Sequence, residues 1–477
     1  MTISDLKNLT QYRKNINLSQ SKLSEITNIT QFRLSQFEHN KIELTQVEKK
    51  HIIKTLNDKK LLNKIISRRK RYQKHTYDNK IINKSKRRSY ERSLHNKEYI
   101  KDINSIYHRH EKSEKKFKCI SLFSGCGGFS LGASAAGFKI KGFLELEKSA
   151  VEIYKQNFPS SELLGLDIND IEIEIIKKKF QNKIDLVIGG PPCQGFSLAG
   201  KRDAKDERNY LYKKYLDLVL TIKPKIFIME NVGLLLSMKN NNGTLIKDDI
   251  IKDFSNKNYT VDYRVINANN FGVPQNRKRV IFFGIKKDIN KKIVFPEKIY
   301  SDEKNNLFTN FKKVRSFSDA ISDLPYLESG ESSDFPFHQA QKHPDHVLKW
   351  LWNVKQGMSA HENKKKELRP PSGYNTTYKR QIWNNPASTV QTTFGMISGS
   401  NNVHPICTRA LTIREAARIQ SFPDKFVLTG KIGSIRTAIG NAVPPLLSYE
   451  LCNYFKNSHV DTNKTIYQKC LKCEKKS

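Results

Sequence analysis

From residue 117 onward the chain alternates short apolar runs with amphipathic stretches, and this pattern limits the possible folds more than any other feature of the sequence. The apolar runs predict strands at 118–123, 140–146, 184–188, 225–229, 261–266 and 280–285, and the stretches between them predict helices at 128–137, 148–157 and 208–222. Short strands joined by helices indicate an α/β fold with a doubly wound, Rossmann-like sheet. Ligands of such sheets bind at the carboxyl ends of the strands.

The charge balance favours a polyanionic partner. The 477 residues include 84 Lys or Arg against 47 Asp or Glu, a formal net charge of +37. Nucleic acid is the simplest partner for such a surplus, although the codon bias of an A+T-rich genome produces the same composition. No run of about 18 apolar residues and no signal peptide are present, so we expect no membrane contact. Seven scattered cysteines fit a reducing, cytoplasmic setting.

Composition and pattern divide the chain into six segments. Residues 1–57 carry apolar positions at helical spacing and predict an all-α domain. A basic stretch, with 21 Lys or Arg against 7 Asp or Glu over 58–118, predicts either a charged helix or a solvated linker at 58–116. The α/β pattern fills 117–295 and returns at 387–460, a segment of irregular texture lies between them at 296–386, and a basic tail occupies 461–477.

Three features near the first strands suggest an adenosine-containing ligand. Ser124-Gly125-Cys126-Gly127-Gly128 follows a strand and opens a helix, which permits a tight turn with backbone N–H groups available to a ligand. Glu145 ends the next strand, where a carboxylate can accept hydrogen bonds from ribose hydroxyls. Asp167 follows a further strand and could accept from an adenine amino group. No phosphate-binding GxxxxGK[ST] loop occurs.

A second group of residues suggests nucleophilic chemistry. Cys193 lies in the loop GGPPCQGFS at 189–197, directly after a strand, where a rigid exposed loop suits a thiolate better than core filling. Glu230-Asn231-Val232 ends the neighbouring strand. In QNRKR at 275–279, the i, i+2 spacing predicts Arg277 and Arg279 on one face, either as a solvated basic edge or as a pair facing a substrate oxygen or phosphate.

In this combination and order, the motifs resemble those of bacterial DNA (cytosine-5) methyltransferases. The matching blocks cover roughly 117–455: SLFSGCGGFSLG at 121–132, Glu145, LDI at 166–168, GGPPCQGFS at 189–197, ENV at 230–232, QNRKR at 275–279, RALTIREAARIQSFPDKF at 409–426 and IGNAVPP at 439–445. Two departures are mild, because Ser121 stands where the family often has Asp, and Leu146 stands where it often has an aromatic residue.

The resemblance implies S-adenosylmethionine as the methyl donor and duplex DNA as the substrate, with no metal. The cofactor residues that it implies are Phe123, Gly125, Cys126, Gly127, Glu145, Leu146, Asp167, Ile168, Leu211, Asn441 and Ala442. Cys470 and Cys473 form a lone CxxC without a second ligand pair, so we do not expect a zinc site there.

The implied chemistry assigns a role to each catalytic residue. Cys193 is expected to add to C6 of a cytosine flipped out of the duplex, and Glu230 to hold N3 and the exocyclic amine. Arg279 would polarise O2, with Arg277 on the base or a phosphate. Gln194 and Ser197 are candidates to fill the gap and bind the flanking phosphate.

Two segments are expected to recognise DNA by sequence. Residues 296–386 occupy the place of the target recognition domain, and Thr389 resembles the threonine that follows it and contacts phosphate. Residues 4–56 resemble phage-repressor helix-turn-helix domains, with a recognition helix at about 30–38 that would present Thr30, Gln31, Arg33 and Gln36 to DNA. A merely structural helical domain is the alternative.

The first function hypothesis is therefore a monomeric DNA cytosine-5-methyltransferase associated with the bacterial nucleoid. It would be paired with a restriction endonuclease, and its N-terminal domain would repress its own promoter. The second is a transcriptional repressor that uses an inactive methyltransferase body as a DNA clamp, and the third is a tRNA methyltransferase on the same fold. Intact Cys193, Glu230, Arg277 and Arg279 disfavour the second, and the long variable segment disfavours the third.

Overall fold

The computed structural model describes residues 4–16, 18, 20–40, 42–58, 61, 90–192, 211–240, 243–303 and 310–460. Two compact units are distinguished. The first comprises Met1–Ser93, Ile321–Trp383 and Thr393–Ala416, and the second comprises Leu94–Ala320, Asn384–Thr392 and Ala417–Ser477. Within the described residues, no helix combines the length and the hydropathy that crossing a bilayer requires.

A short 3-10 helix, Ser4–Asn8, precedes the α-helices. In chain order these are α1 (Leu9–Asn15), α2 (Gln20–Thr27), α3 (Gln31–Glu38), α4 (Gln46–Asn57), α5 (Asn96–Lys112), α6 (Gly128–Ala135), α7 (Lys148–Asn157), α8 (Ile173–Phe180), α9 (Leu211–Ile222), α10 (Ile246–Ser255), α11 (Phe317–Ile321), α12 (Asp345–Leu351), α13 (Ile413–Ile419), α14 (Ile432–Asn441) and α15 (Pro445–Phe455).

The described strands form two sheets, both within the second unit. They are β1 (Phe117–Leu122), β2 (Phe138–Leu144), β3 (Glu162–Gly165), β4 (Leu186–Gly189), β5 (Ile226–Val232), β6 (Tyr259–Asn267), β7 (Gln275–Asn276), β8 (Lys278–Lys286) and β9 (Ala387–Ser388). Seven strands make one sheet in the order β3-β2-β1-β4-β5-β8-β6, and β7 pairs with β9 in a small second sheet.

The predicted α/β fold is confirmed, but the large sheet is mixed rather than wholly parallel. β1 to β5 run parallel to one another, whereas β8 is antiparallel to both β5 and β6. The cause lies in the connection between β6 and β8, which contains only a 3-10 turn, Ala268–Phe271, and the short strand β7. A parallel neighbour needs a crossover of a dozen residues or more, which this segment does not provide.

The strand order reverses beside β1, because β2 and β3 extend to one side of it and β4 and β5 to the other. β4 is wholly buried and apolar, and its neighbours in the middle of the sheet place Ile120, Leu122, Phe227 and Met229 in the core. A continuous apolar strand of this kind is typical of a sheet covered on both faces. The carboxyl ends of β1, β2, β4 and β5 therefore form the edge at which ligands of doubly wound folds bind.

The first unit begins with helices whose ends are set by local chemistry. Asn28, between α2 and α3, has φ +53°, a left-handed conformation that asparagine tolerates. Thr30 caps α3 by accepting the Arg33 N–H, and Thr45 and Glu48 form a capping box at α4. Leu9, Leu23, Leu34 and other buried apolar residues form a core shared by these helices.

The expected basic linker ends in a helix. Most of 58–89 lies outside the described residues, but α5 occupies 96–112 and buries Tyr99, Ile103 and Ile106 in the second unit. The Tyr99 hydroxyl donates to the Arg418 carbonyl, and Arg315 lies 5.1 Å above the tyrosine ring. This part of the basic stretch is therefore a packed helix, one of the two alternatives that the charge pattern left open.

Candidate active site

The glycine-rich turn after β1 has a backbone that few other residues could adopt. Gly125 and Gly127 have φ of +55° and +100°, and even Phe123 is left-handed at +53°. A Cβ atom added to Gly127 would lie 2.6 Å from the Phe158 ring, which excludes a larger residue on steric grounds as well. The turn leads directly into the amino end of α6, where backbone N–H groups are available to a ligand.

Glu145 is held in place by this turn. It follows β2, and its two carboxylate oxygens accept from the N–H groups of Gly125 at 2.7 Å and Glu147 at 3.0 Å. Burial raises the pKa of the Glu145 carboxyl, and these backbone hydrogen bonds only partly offset that effect. Each oxygen keeps further lone pairs that can accept from the hydroxyls of a ribose.

The remaining acidic and apolar cofactor candidates lie on neighbouring elements. Asp167 follows β3, is half-buried, and accepts from the Asn169 backbone N–H at 2.8 Å. Ile168 is buried in the core, and Leu211 at the start of α9 packs against the same core. Leu146 is 61% exposed, so it offers an apolar surface in place of the expected aromatic ring.

The return segment closes this edge from the other end of the chain. The Cys126 thiol donates to the Ala438 carbonyl at 3.4 Å, and burial raises its pKa to about 12, which makes it a packing residue rather than a nucleophile. A Cβ added to Gly128 would lie 2.4 Å from the Val443 carbonyl oxygen, so turn and return segment touch backbone to backbone. Ala442 is buried, and Asn441 stays exposed.

Taken together, these groups suit an adenosine. Glu145 supplies a fixed carboxylate for a diol, Asp167 a second acceptor for an amino group, and Phe123, Ile168 and Leu211 supply apolar surface. None of these described residues carries a basic side chain for a phosphate, which fits a nucleoside better than a nucleotide.

The predicted nucleophile lies just beyond the described part of its loop. Cys193, Gln194 and Ser197 fall outside the described residues, but Gly190, Pro191 and Pro192 do not. The Asn231 side-chain amide donates to the Pro191 carbonyl at 2.9 Å, which ties this loop to the end of β5. A Cβ added to Gly190 would lie 3.2 Å from Glu230 Oε2, so the Glu230 carboxylate lies directly beside the loop.

Glu230 and Arg279 are joined by an ion pair. Arg279 Nε lies 2.9 Å from Glu230 Oε1, and the two side chains are 15% and 12% exposed. The antiparallel pairing of β5 with β8 brings them together, because Arg279 is paired with Val232, two residues beyond Glu230. The structure thus unites the carboxylate and the guanidinium that the sequence placed in separate motifs.

Arg277 does not take the substrate-facing position that the i, i+2 spacing predicts. Its side chain is buried, and Nη1 donates to the carbonyls of Val390 at 3.4 Å and Gly440 at 3.2 Å. Desolvation lowers the pKa of its guanidinium to about 9. Strand alternation fails here because Arg277 lies between β7 and β8, where the chain changes partners. The prediction that Arg277 faces the base or a phosphate is wrong for this structure.

Thr389 lies where the return segment meets the QNRKR motif. β9 pairs in parallel with β7, and the Thr389 hydroxyl donates to the Asn276 carbonyl at 2.6 Å. Its side chain is half-buried. Its partner Asn276 directly precedes Arg277, so Thr389 lies beside the QNRKR motif.

Three of the N-terminal candidates differ in accessibility. Gln31 is 3% exposed, so the prediction that it contacts DNA is wrong in this conformation, because the first turn of α3 faces inward at this residue. Arg33 has a 41% exposed side chain and forms two hydrogen bonds to the Glu48 carboxylate, at 2.9 and 3.0 Å. Gln36 is half-buried.

Some residues at the site carry roles that the sequence interpretation missed. Asn231 and Gln275 lie inside quoted motifs but received no role, and Gln420 lies in the return block. All three are buried amides with backbone partners. For Asn231 the available signal was a polar amide in an apolar strand, which needs hydrogen-bond partners once it is buried. The sequence around Gln275 and Gln420 carries no comparable signal, because one lies in a two-residue strand and the other follows a helix.

Comparisons with known proteins agree with this geometry. The family model "C-5 cytosine-specific DNA methylase" matches residues 117–457. The type II methyltransferase M.DdeI of Desulfomicrobium norvegicum is 35% identical over 395 residues, covering 73% of this chain and 92% of the relative. M1.HphI of Haemophilus parahaemolyticus is 38% identical over 333 residues, covering 69% and 84%. A solved structure described as a DNA modification methyltransferase encoded within an E. coli prophage has a TM-score of 0.56 and 26% identity, covering 72% of this chain and 99% of that chain.

The family match covers the α/β unit and its return segment, which are the parts that form the cofactor turn, the Cys193 loop and the Glu230–Arg279 pair. The chain belongs to the C-5 cytosine-specific DNA methylases, and it is a DNA cytosine-5-methyltransferase that uses S-adenosylmethionine.

Proposed function

We propose that the protein methylates C5 of a flipped cytosine within a specific duplex sequence through a covalent adduct on Cys193. The observation that carries this proposal is the Asn231–Pro191 hydrogen bond, because it ties the loop leading to Cys193 to the strand end that carries the Glu230–Arg279 pair. With Cys193 following Pro192, the nucleophile would meet the carboxylate and the guanidinium at one strand edge, where a single pyrimidine ring would contact all three.

The mechanism follows from the electronics of cytosine. C5 is a poor nucleophile, so a thiolate first forms a bond to C6, and the electrons of the C5–C6 double bond move to C5. Bound S-adenosylmethionine supplies the methyl group as a sulfonium. After transfer, a water molecule takes the C5 proton, the electrons of that C–H bond re-form the C5–C6 double bond, and the Cys193 thiolate leaves C6.

Glu230 and Arg279 stabilise the ring during addition. The Glu230 carboxylate would hold the N3 proton and the exocyclic amine, and the Arg279 guanidinium would hold O2, which gains negative charge. Both side chains are largely shielded from water, which strengthens such contacts. The buried Arg277 side chain bonds the carbonyls of Val390 and Gly440 instead, and it would not contact the base.

The cofactor edge is assigned to the residues described above. Glu145 would accept from the ribose hydroxyls and Asp167 from the adenine amino group. Phe123, Gly125, Leu146, Leu211 and Asn441 would complete the contact surface, and the buried residues Cys126, Gly127, Ile168 and Ala442 would support it from behind.

Recognition of DNA is assigned to three parts of the chain. Residues 296–386 would read the target sequence, Thr389 would contact a phosphate, and Gln194 and Ser197 would bind near the flipped base. The curated relatives are type II methyltransferases, so we infer that the enzyme is the modification partner of a restriction endonuclease. Labelled methyl transfer to duplex DNA but not to tRNA, with bisulfite sequencing of DNA from an expressing host, tests the assignment and reveals the recognition sequence.

A second function is proposed for residues 4–57, which would bind an operator near the protein's own gene. The specific support is the α2–α3 turn, whose Asn28 takes the left-handed conformation that this turn requires, followed by an exposed Arg33 on α3. The alternative of a repressor with an inactive body is disfavoured, because the Glu230–Arg279 pair is intact.

A further inference from the structure

Two buried glutamines join three segments of the second unit. Gln275 in β7 and Gln420 after α13 are both fully buried, and Gln275 Nε2 donates to Gln420 Oε1 at 2.8 Å. Neither residue touches the edge at which the cytosine would bind, so the catalytic mechanism does not use them.

Every donor of this amide pair has a partner. Gln275 Nε2 also donates to the Ile419 carbonyl at 3.4 Å, and Gln275 Oε1 accepts from the Val390 N–H at 2.9 Å. Gln420 Nε2 donates to the carbonyls of Ile439 at 2.7 Å and Ala442 at 3.4 Å. The backbone groups therefore fix the orientation of both amides, and a residue without the same donors would leave buried carbonyls unpaired.

Gln275 and Gln420 each bond a segment that is proposed to contact a different ligand. Val390 follows Thr389, the proposed phosphate contact, and Ala442 follows Asn441 at the cofactor edge. Arg277 reinforces the connection, because its Nη1 bonds the carbonyls of both Val390 and Gly440. A Cβ added to Gly440 would lie 2.4 Å from the Thr392 N atom, so the DNA-side and cofactor-side segments pack backbone against backbone.

We propose that Gln275 and Gln420 are positioning residues that couple the binding of DNA to the binding of S-adenosylmethionine. The inference rests on the proposed roles of Thr389, Asn441 and Ala442. A ligand that immobilises one segment also immobilises the other through the amide pair. The first ligand therefore bears the loss of conformational entropy, and the second ligand binds a segment that is already ordered. By linkage, DNA must raise the affinity for the cofactor by the same factor as the cofactor raises the affinity for DNA.

The test measures this coupling factor directly. Calorimetry gives the affinity of the full-length enzyme for S-adenosylhomocysteine, with and without a duplex that carries the site identified by bisulfite sequencing. We expect DNA to tighten this affinity by about fivefold or more in the native enzyme, a typical coupling. In Gln275→Met and Gln420→Met the factor should fall toward one, and the double variant should lose no more than either single variant.

Asn157→Leu is the matched control. Asn157 is a buried amide that also braces backbone, with its Nδ2 donating to Ile153 and Val427 and its Oδ1 accepting from Val427, but it touches neither ligand segment. It should lower thermal stability and keep the coupling. If the Met variants do not fold, Gln275→Glu supplies the second test, because it keeps the acceptor for Val390 and removes the donor to Gln420.

Unchanged coupling in a folded Gln275 variant, or equal loss in Asn157→Leu, would overturn the inference. A native enzyme that transfers methyl groups but shows no coupling would also overturn it and leave the proposed function intact. An enzyme that methylates its site but forms no adduct with 5-fluorocytosine DNA would instead count against the covalent step of the proposed function. The coupling could then still be measured with the duplex identified by bisulfite sequencing.

Discussion

Glu230 Oε1 lies 2.9 Å from Arg279 Nε, across the antiparallel boundary between β5 and β8. The two residues are 49 positions apart in sequence, and the change of strand direction at β8 is what places them side by side. In the proposed mechanism an acceptor lies beside N3 and the exocyclic amine, and a donor lies beside O2, which are neighbouring positions on one edge of the pyrimidine ring. This strand pair places a carboxylate and a guanidinium in contact from rigid elements, as such an edge would require.

Replacing Glu230 by Gln should lower the rate of methyl transfer by about 10²–10⁴-fold, the usual contribution of a positioned acid–base group. Single-turnover transfer of labelled methyl groups measures this, with DNA affinity measured separately. Glu162→Gln is a suitable control, because Glu162 is an exposed residue paired with Lys179. A loss below tenfold in Glu230→Gln would contradict the assigned role.

Cys193→Ser should abolish turnover and retain DNA binding, because a serine hydroxyl is far less ionised than a thiol at neutral pH. A duplex with 5-fluorocytosine at the target should trap the native enzyme covalently. The last step requires the loss of a proton from C5, and a fluorine atom at C5 cannot be lost as a cation. Denaturing gel electrophoresis detects the adduct. Full methylation by the purified Ser variant would refute Cys193 as the nucleophile.

Local sequence patterns predicted the strands and helices of the α/β core well. They could not predict which side chains from distant segments pack against each other. Strand positions such as 118–123 and 280–285 agree closely with β1 and β8, because apolar runs report burial directly. Arg277 was misplaced because strand alternation was assumed to continue through a residue at which the chain changes partners. Gln31 was misplaced because a helical pattern does not reveal which neighbours cover a given turn.

The affinity for S-adenosylmethionine should depend on pH through Glu145. Its folded-state pKa is raised above the ordinary glutamate value, so protonation begins to compete with the ribose hydroxyls at a higher pH than it would for an exposed carboxylate. Affinity should therefore fall as the pH falls toward the raised pKa, and Glu145→Gln should bind weakly with little pH dependence.

At neutral pH, Glu145→Ala and Asp167→Ala should each weaken cofactor binding by about 1.5–3 kcal/mol, the typical value for a hydrogen bond to a charged group. Affinity for DNA alone should be retained. Calorimetry across a pH series tests both statements, and unchanged cofactor affinity in both alanine variants would contradict the cofactor assignment.

The catalytic unit should require α5 for its stability, although the family match begins only at residue 117. Tyr99→Ala should lower the free energy of unfolding by about 3–5 kcal/mol, the usual loss for truncating a buried aromatic residue. The substitution empties a fully buried site and removes the hydrogen bond to Arg418. Urea unfolding measures the loss. Leu94→Ala is the control, since Leu94 is 94% exposed. A chain starting at residue 117 that is as stable as one starting at residue 90 would contradict this prediction.

A chain that starts at residue 90 should methylate DNA but fail to repress a reporter that carries the upstream region of its own gene. In the full-length protein, Arg33→Ala should weaken the free energy of operator binding by roughly 1–3 kcal/mol and leave methylation unchanged. Gln31→Ala, at a buried position, should act on stability rather than on operator contacts. Equal repression by the full-length and shortened proteins would reduce residues 4–57 to a structural or general DNA-holding module.

Because the return segment closes the cofactor edge, the cofactor site can form only late in synthesis of the chain. The Ser448 hydroxyl bonds the Phe129 carbonyl across 319 residues, so the glycine-rich turn acquires its final support only when α15 has been made. At about 5–20 residues per second, that delay is roughly 16–64 s. Residues 4–57 bury their core with one another and can fold as they leave the ribosome. The apolar partners of the N-terminal helices are therefore all available well before the cofactor edge can close.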